Sequence, residues 1–127
     1  MTEAQETNWS KRLSVAVLGV YWLVLATATH VPQIEPPLGV QPSDKVEHVA
    51  AFGLLAVLLA LAWSHFTAMT WRSYAAILAV IAVYGAVDEI TQPLTRRNAD
   101  VMDWLADVTG AIAGLAVFAI ARRLRAR

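Results

Sequence analysis

The chain has 127 residues, of which 57% are apolar and only 16% charged, too few charges to cover the surface of a small soluble domain, so the excess apolar surface calls for lipid as its solvent. Ten Lys and Arg balance ten Asp and Glu, which gives no basis for a nucleic-acid partner. The absence of cysteine excludes disulfides, iron–sulfur clusters, zinc knuckles and thiol nucleophiles.

Four apolar stretches follow one another, and the sequence predicts an all-α integral membrane bundle in a single domain over residues 1–127. A helix rises about 1.5 Å per residue and the hydrocarbon core is about 30 Å thick, so a span needs about 20 residues. The expected spans are about 13–29, 46–64, 72–91 and 101–121. The third reaches spanning length only by including Trp71 at one end and Asp88, Glu89 and Gln92 at the other, which sets two adjacent carboxylates inside a membrane helix near its end.

The connections are punctuated. Residues 30–42 hold Pro32, Pro36, Pro37 and Pro42 and read as an extended loop. Ser43 reads as the cap of the second helix. Residues 64–72 form a short polar turn, Pro93 stops the third helix at Gln92, and residues 94–100 form a polar loop with Arg96 and Arg97. Seven cations, Lys11, Arg12, Arg72, Arg122, Arg123, Arg125 and Arg127, fall on the side of the termini, against Lys45, Arg96 and Arg97 on the other. The positive-inside rule then puts both termini in the cytoplasm. Lys11-Arg12, the first apolar run and Ala26-Thr27-Ala28 also resemble a secretory signal; the run is longer than the usual signal core, and a retained anchor is expected.

The ionisable residues carry the functional signal. The second helix opens on Asp44, Lys45, Glu47 and His48, the third closes on Asp88, Glu89 and Gln92, and the fourth opens on Asp100, Asp103 and Asp107. All three groups fall at the expected outer surface. Asp44 and His48 share a helix face, as do Asp88 and Gln92. Asp100, Asp103, Asp107, Gly110 and Gly114 fall in a sector of about 80° on the fourth helix, with the Gly110-x-x-x-Gly114 pattern that lets helix backbones approach. An Asp at the centre of a membrane helix costs about 2.5–3.5 kcal/mol, so Asp107, about two turns inside, calls for a partner or a wet pocket.

Plainer explanations cover part of this set. Acids at helix starts, Asp44, Glu47 and Asp100, complement the helix dipole. Lys45 can snorkel to the headgroups, the terminal arginines can serve as a topology signal, and His30 and His65 read as interfacial residues without a role. Gly110 and Gly114 read as packing within one chain. His48, Asp88, Glu89 and Asp103 are poorly explained by packing and are the candidate catalytic residues, against a buried salt-bridge network with Lys45, Arg96 or Arg97.

Asp44-Lys45-x-x-His48, Gly85-x-x-Asp88-Glu89-x-x-Gln92, Arg97-x-x-Asp100-x-x-Asp103 and Asp107-x-x-Gly110-x-x-x-Gly114 together resemble the VanZ-like family, over roughly residues 10–121. That family often has Asn where this chain has Asp107. The resemblance implies a bacterial protein of the cell envelope, in the cytoplasmic membrane, whose namesake is associated with low-level resistance to the glycopeptide teicoplanin. It implies no defined reaction.

Two functional expectations follow. In the first, the protein binds or acts on a lipid-linked or cell-wall ligand at the outer face, with Asp44, Lys45, Gln92, Arg96, Arg97 and Asp107 as ligand-binding residues. Arginine suits phosphate, and carboxylates suit cationic or hydroxyl groups. In the alternative, the protein is a membrane-embedded hydrolase or transferase acting on a lipid headgroup. His48 is then general acid or base, and Asp88, Glu89 and Asp103 orient it or hold a divalent metal. The chain has no HExxH and no Ser-His-Asp order. A transporter is a third class, with no internal repeat to support it.

Overall fold

A computed structural model describes residues 3–31, 44–95 and 99–127. Four helices account for most of them, with no strand among the described residues, so the expected all-α bundle holds. All four are long and apolar enough to cross a membrane.

Helix α1 is Glu3–Ala28. It starts well before residue 13, because nothing in its polar first turns breaks a helix. Helix α2 is Asp44–Ser64, so Lys45 lies inside the helix. Ser43, expected as its cap, and most of the proline-rich stretch lie outside the described residues. Helix α3 is Trp71–Thr91. The Thr70 side chain accepts from the Ser73 backbone N–H while the Ser73 side chain accepts from that of Thr70, a reciprocal capping box that satisfies two donors otherwise left over at a helix start. At its other end α3 tightens into a 3-10 turn, Gln92–Thr95, where Pro93 has no N–H to continue the α-helical ladder. Helix α4 is Val101–Arg125. Asp100 caps it by accepting from Met102 N–H at 2.8 Å, and Arg122, Arg123 and Arg125 occupy the last turn, where cations suit the negative end of the dipole.

Helix α2 packs against the other three. Its Phe52, Leu55, Ala56 and Ala60 form the core with Ile77 and Ile81 of α3 and Ala111, Leu115 and Phe118 of α4. The closest crossing is between α2 and α4. A Cβ on Gly110 would run into the carbonyl of Val49, one on Gly114 into the carbonyl of Gly53, and one on Gly53 would lie 3.1 Å from the carbonyl oxygen of Gly110. The small-residue stripe therefore packs within the chain. Helix α1 lies outermost. Its buried apolar residue is Leu25, and it is held by Tyr21 Oη donating to Ala51 O at 2.8 Å and by an edge-on contact of Trp22 with Tyr84. Leu23, 70% exposed, and Ile90, 75% exposed, stand among many large apolar side chains facing outward, as a lipid-facing surface requires. Consecutive helices alternate in direction, so the ends of α1 and α3 meet the starts of α2 and α4 at one end of the bundle.

Candidate functional site

The chemistry concentrates at that end. One turn into α2, His48 is buried with Nδ1 2.7 Å from Asp107 Oδ1 of α4. When Asp107 is ionised its carboxylate only accepts; Nδ1–H then donates, and Nε2 becomes the nitrogen suited to proton transfer or coordination. Asp107 is 0% exposed, and its Oδ2 makes no hydrogen bond among the described residues. Room for it comes from Gly85 of α3, where a Cβ would lie 3.0 Å from that oxygen.

Glu89 of α3 and Asp103 of α4 join His48. All three are buried, and each offers a ligand atom within 4.8 Å of the others. Asp103 Oδ1 accepts from Lys45 Nζ at 2.7 Å, and the same ammonium reaches Asp100 Oδ2 at 3.1 Å. Glu89 Oε2 accepts from Asp100 N–H at 2.8 Å, and its Oε1 from Gln92 Nε2 at 3.3 Å. Asp103 lies in the first turn of α4, where the dipole welcomes an anion. Glu89 lies in the last turns of α3, where the dipole opposes one, so its presence there has to be sought in what it faces.

Asp88 turns the other way, toward α1. Its Oδ1 accepts from Thr29 Oγ1 at 2.7 Å and its Oδ2 from Gln92 Nε2 at 3.2 Å. The amide nitrogen of Gln92, a residue 1% exposed, thus serves both adjacent carboxylates. His30 completes this second group. Its Nδ1 donates to Ala26 O at 2.8 Å, lies 3.6 Å from Asp88 Oδ1, and its Nε2 lies 2.9 Å from Thr91 Oγ1. His30, expected to be without a role, instead ties α1 to the end of α3, and Thr29 and Thr91 were not singled out in the sequence at all. What signals them is the level of the α1 terminus, which a four-helix topology places beside the other three polar groups.

A family model described as VanZ/LLP1 matches residues 3–122. The chain belongs to the VanZ/LLP1 family. Comparison with curated proteins found no match, and comparison with solved structures found none.

In this VanZ/LLP1 fold the spaced polar residues that carried the resemblance converge. Lys45, His48, Asp88, Glu89, Gln92, Asp103 and Asp107 occupy one end of the bundle, while Gly110 and Gly114 seat α4 on α2 beneath them. The side chain of Asp44 and both Arg96 and Arg97 lie outside the described residues. Two openings among the described residues flank the group. A cavity of about 120 Å³ between α1 and α2 touches Glu47 and His48. A mainly apolar cleft of about 320 Å³ between α3 and α4 is lined by Ala86, Glu89, Ile90, Asp100, Val101 and Trp104. Trp104 is fixed there by its Nε1–H donating to Ala82 O at 2.9 Å. At the rim, hydrogen bonding from Met102 N–H and then the Lys45 ammonium holds the Asp100 carboxyl below the usual aspartate range.

Proposed function

We propose that this protein is a bacterial cell-envelope component of the cytoplasmic membrane, with both termini in the cytoplasm, that binds a lipid-linked or cell-wall ligand at its outer face. The observation that carries the reading is the meeting of His48, Glu89 and Asp103, from three helices, in a buried group at one end of the bundle. Ionisable residues at membrane depth are costly to keep and mark functional sites by default. The α3–α4 cleft supports a lipid in particular, since its lining is mainly apolar and includes the carboxyl-bearing residues Glu89 and Asp100. Arg96 and Arg97 supply phosphate-pairing groups in the adjoining segment. The excess of Lys and Arg on the terminal side supports the orientation, and the namesake's association with teicoplanin fits a role in envelope defence.

The test is thermal stabilisation of the detergent-solubilised protein by a polyprenyl phosphate, with phosphatidylglycerol as the ordinary lipid. A ligand that binds the folded state alone raises its Tm. The polyprenyl phosphate should raise Tm in the wild type and less in Arg96→Ala and Arg97→Ala. No shift, or a shift in both variants equal to the wild type's, overturns the reading.

One observation favours a second reading, the hydrolase or transferase. A carboxylate-backed imidazole such as His48–Asp107 is an arrangement suited to moving a proton. Release of phosphate or transfer of the headgroup in the same incubation, lost in His48→Gln, would replace binding with catalysis.

A further inference from the structure

The geometry points to a divalent cation held by His48, Glu89 and Asp103. The inference rests on the reading of this end of the bundle as the functional site and deepens it by naming what the site holds first.

The donor set is one imidazole and two carboxylates, delivered by α2, α3 and α4, all buried, with ligand atoms within 4.8 Å of one another. Bonds of about 2.0–2.2 Å to one ion place donors about 3–4 Å apart, so a small side-chain movement closes the set. Each donor is also steered by a neighbour. Asp107 takes the His48 Nδ1–H, Asp100 N–H and the Gln92 amide hold the two oxygens of Glu89, and Lys45 holds one oxygen of Asp103. A carboxylate behind a ligating imidazole fixes its tautomer and raises its basicity.

Charge gives the independent reason. Asp88, Glu89, Asp103 and Asp107 are all buried. The ammonium that meets them among the described residues is Lys45, whose side chain is 46% exposed and reaches Asp103 alone of the four. Among the described residues, Glu89 has no ion pair with a lysine or arginine. The second, fully buried oxygen of Asp107 has no hydrogen-bond partner among the described residues. Buried carboxylates are paired or coordinate metals, and a half-exposed lysine contributes too little to offset this set. A dication between Glu89, Asp103 and His48 offsets the two ligating carboxylates directly and the Asp107 charge through the imidazole. Mixed nitrogen and oxygen donors suit Mn²⁺ or Zn²⁺. Three protein ligands leave a coordination position for a phosphate or hydroxyl oxygen of the bound ligand.

The probe is Mn²⁺ alone, titrated into metal-stripped protein in detergent and followed by electron paramagnetic resonance. The expected result is one Mn²⁺ per chain with nitrogen coupling from one imidazole. The coupling disappears in His48→Gln and persists in His65→Gln, and Glu89→Gln and Asp103→Asn each weaken binding about tenfold or more. Nitrogen coupling that follows His30 instead of His48, unchanged affinity in both carboxylate variants, or no stoichiometric Mn²⁺ overturns the assignment. If His48→Gln fails to fold, the wild-type nitrogen coupling and the two carboxylate variants still decide. Repeating the polyprenyl phosphate shift in chelator separates the two ideas. A shift that survives without metal, in protein that binds no Mn²⁺, ends the cation site and keeps the ligand site. Mn²⁺ binding with no lipid shift does the reverse.

Discussion

Asp100 holds three structures together with one residue. Its side chain caps α4 through Met102 N–H, its second oxygen meets Lys45, and its backbone N–H donates to Glu89. The first two contacts favour the ionised form, and they hold its carboxyl below the usual aspartate range. A group whose pKa is lowered on folding stabilises the folded state above its unfolded pKa, and that contribution is lost as pH falls through the folded value. The Tm of Asp100→Ala should therefore lie below wild type at pH 7, and the gap should close as pH is taken down past the ordinary aspartate range. A gap that stays constant to the lowest pH at which both proteins melt would deny the carboxylate this role. At this scale the sequence was informative about His48, Glu89 and Asp103, because acids and imidazole stand out in an apolar chain. It did not separate Asp88 from Glu89. Adjacent helical residues point about 100° apart, but which direction meets α1 and which meets α2 and α4 depends on where those helices pack. The partner of His30 is hidden for the same reason, since Thr91 is 61 residues away.

The α2–α4 crossing is set by what α4 lacks. With hydrogen at Gly110 and Gly114, the backbone of α4 rests on the carbonyls of Val49 and Gly53. That approach also brings His48, next to Val49, within reach of Asp107, one turn from Gly110. Adding a methyl at Gly114 has no flexible side chain to displace, so the two helices must part. Gly114→Ala should destabilise the protein by about 1–3 kcal/mol, as overpacking does. Gly19→Ala, where nothing lies within 4 Å, should be neutral or gain up to about 1 kcal/mol from helix propensity. Denaturant titration in detergent measures both, and equal stabilities would remove the glycine contact as the determinant of the crossing. The spacing of the glycines was legible because it repeats at one helical face. Their partner was not, because Gly53 sits in an apolar run that gives no sign of which neighbour it will meet. The start of α1 was also hidden, since its polar first turns lie outside the hydropathy signal that marks a span.

The four-helix architecture followed from length and hydropathy alone, because lipid leaves a chain of alternating apolar runs and polar turns few ways to satisfy its backbone. Antiparallel order then does the rest. Two helix starts and two helix ends share a level, and residues separated by more than fifty positions become one site. Which side of the membrane that level faces is a property of the whole molecule, carried by its cations. Seven Lys and Arg on the terminal side against three on the other favour a site exposed outside the cytoplasm. With no native cysteine, single cysteines at Ala99, exposed beside the site, and at Thr67, exposed in the opposite turn, report this directly. Neither position belongs to the capping box of Thr70 and Ser73, so both variants should fold. In intact cells a membrane-impermeant maleimide should label Ala99→Cys and spare Thr67→Cys, with both labelled after lysis. Labelling of Thr67→Cys alone would turn the site toward the cytoplasm. The cell-wall ligand would then be out of reach, and the ligand would have to be sought among lipids of the inner leaflet. The buried group of His48, Glu89 and Asp103, and the cation proposed for it, would stand unchanged, because their geometry depends on helix packing and not on which compartment lies above it.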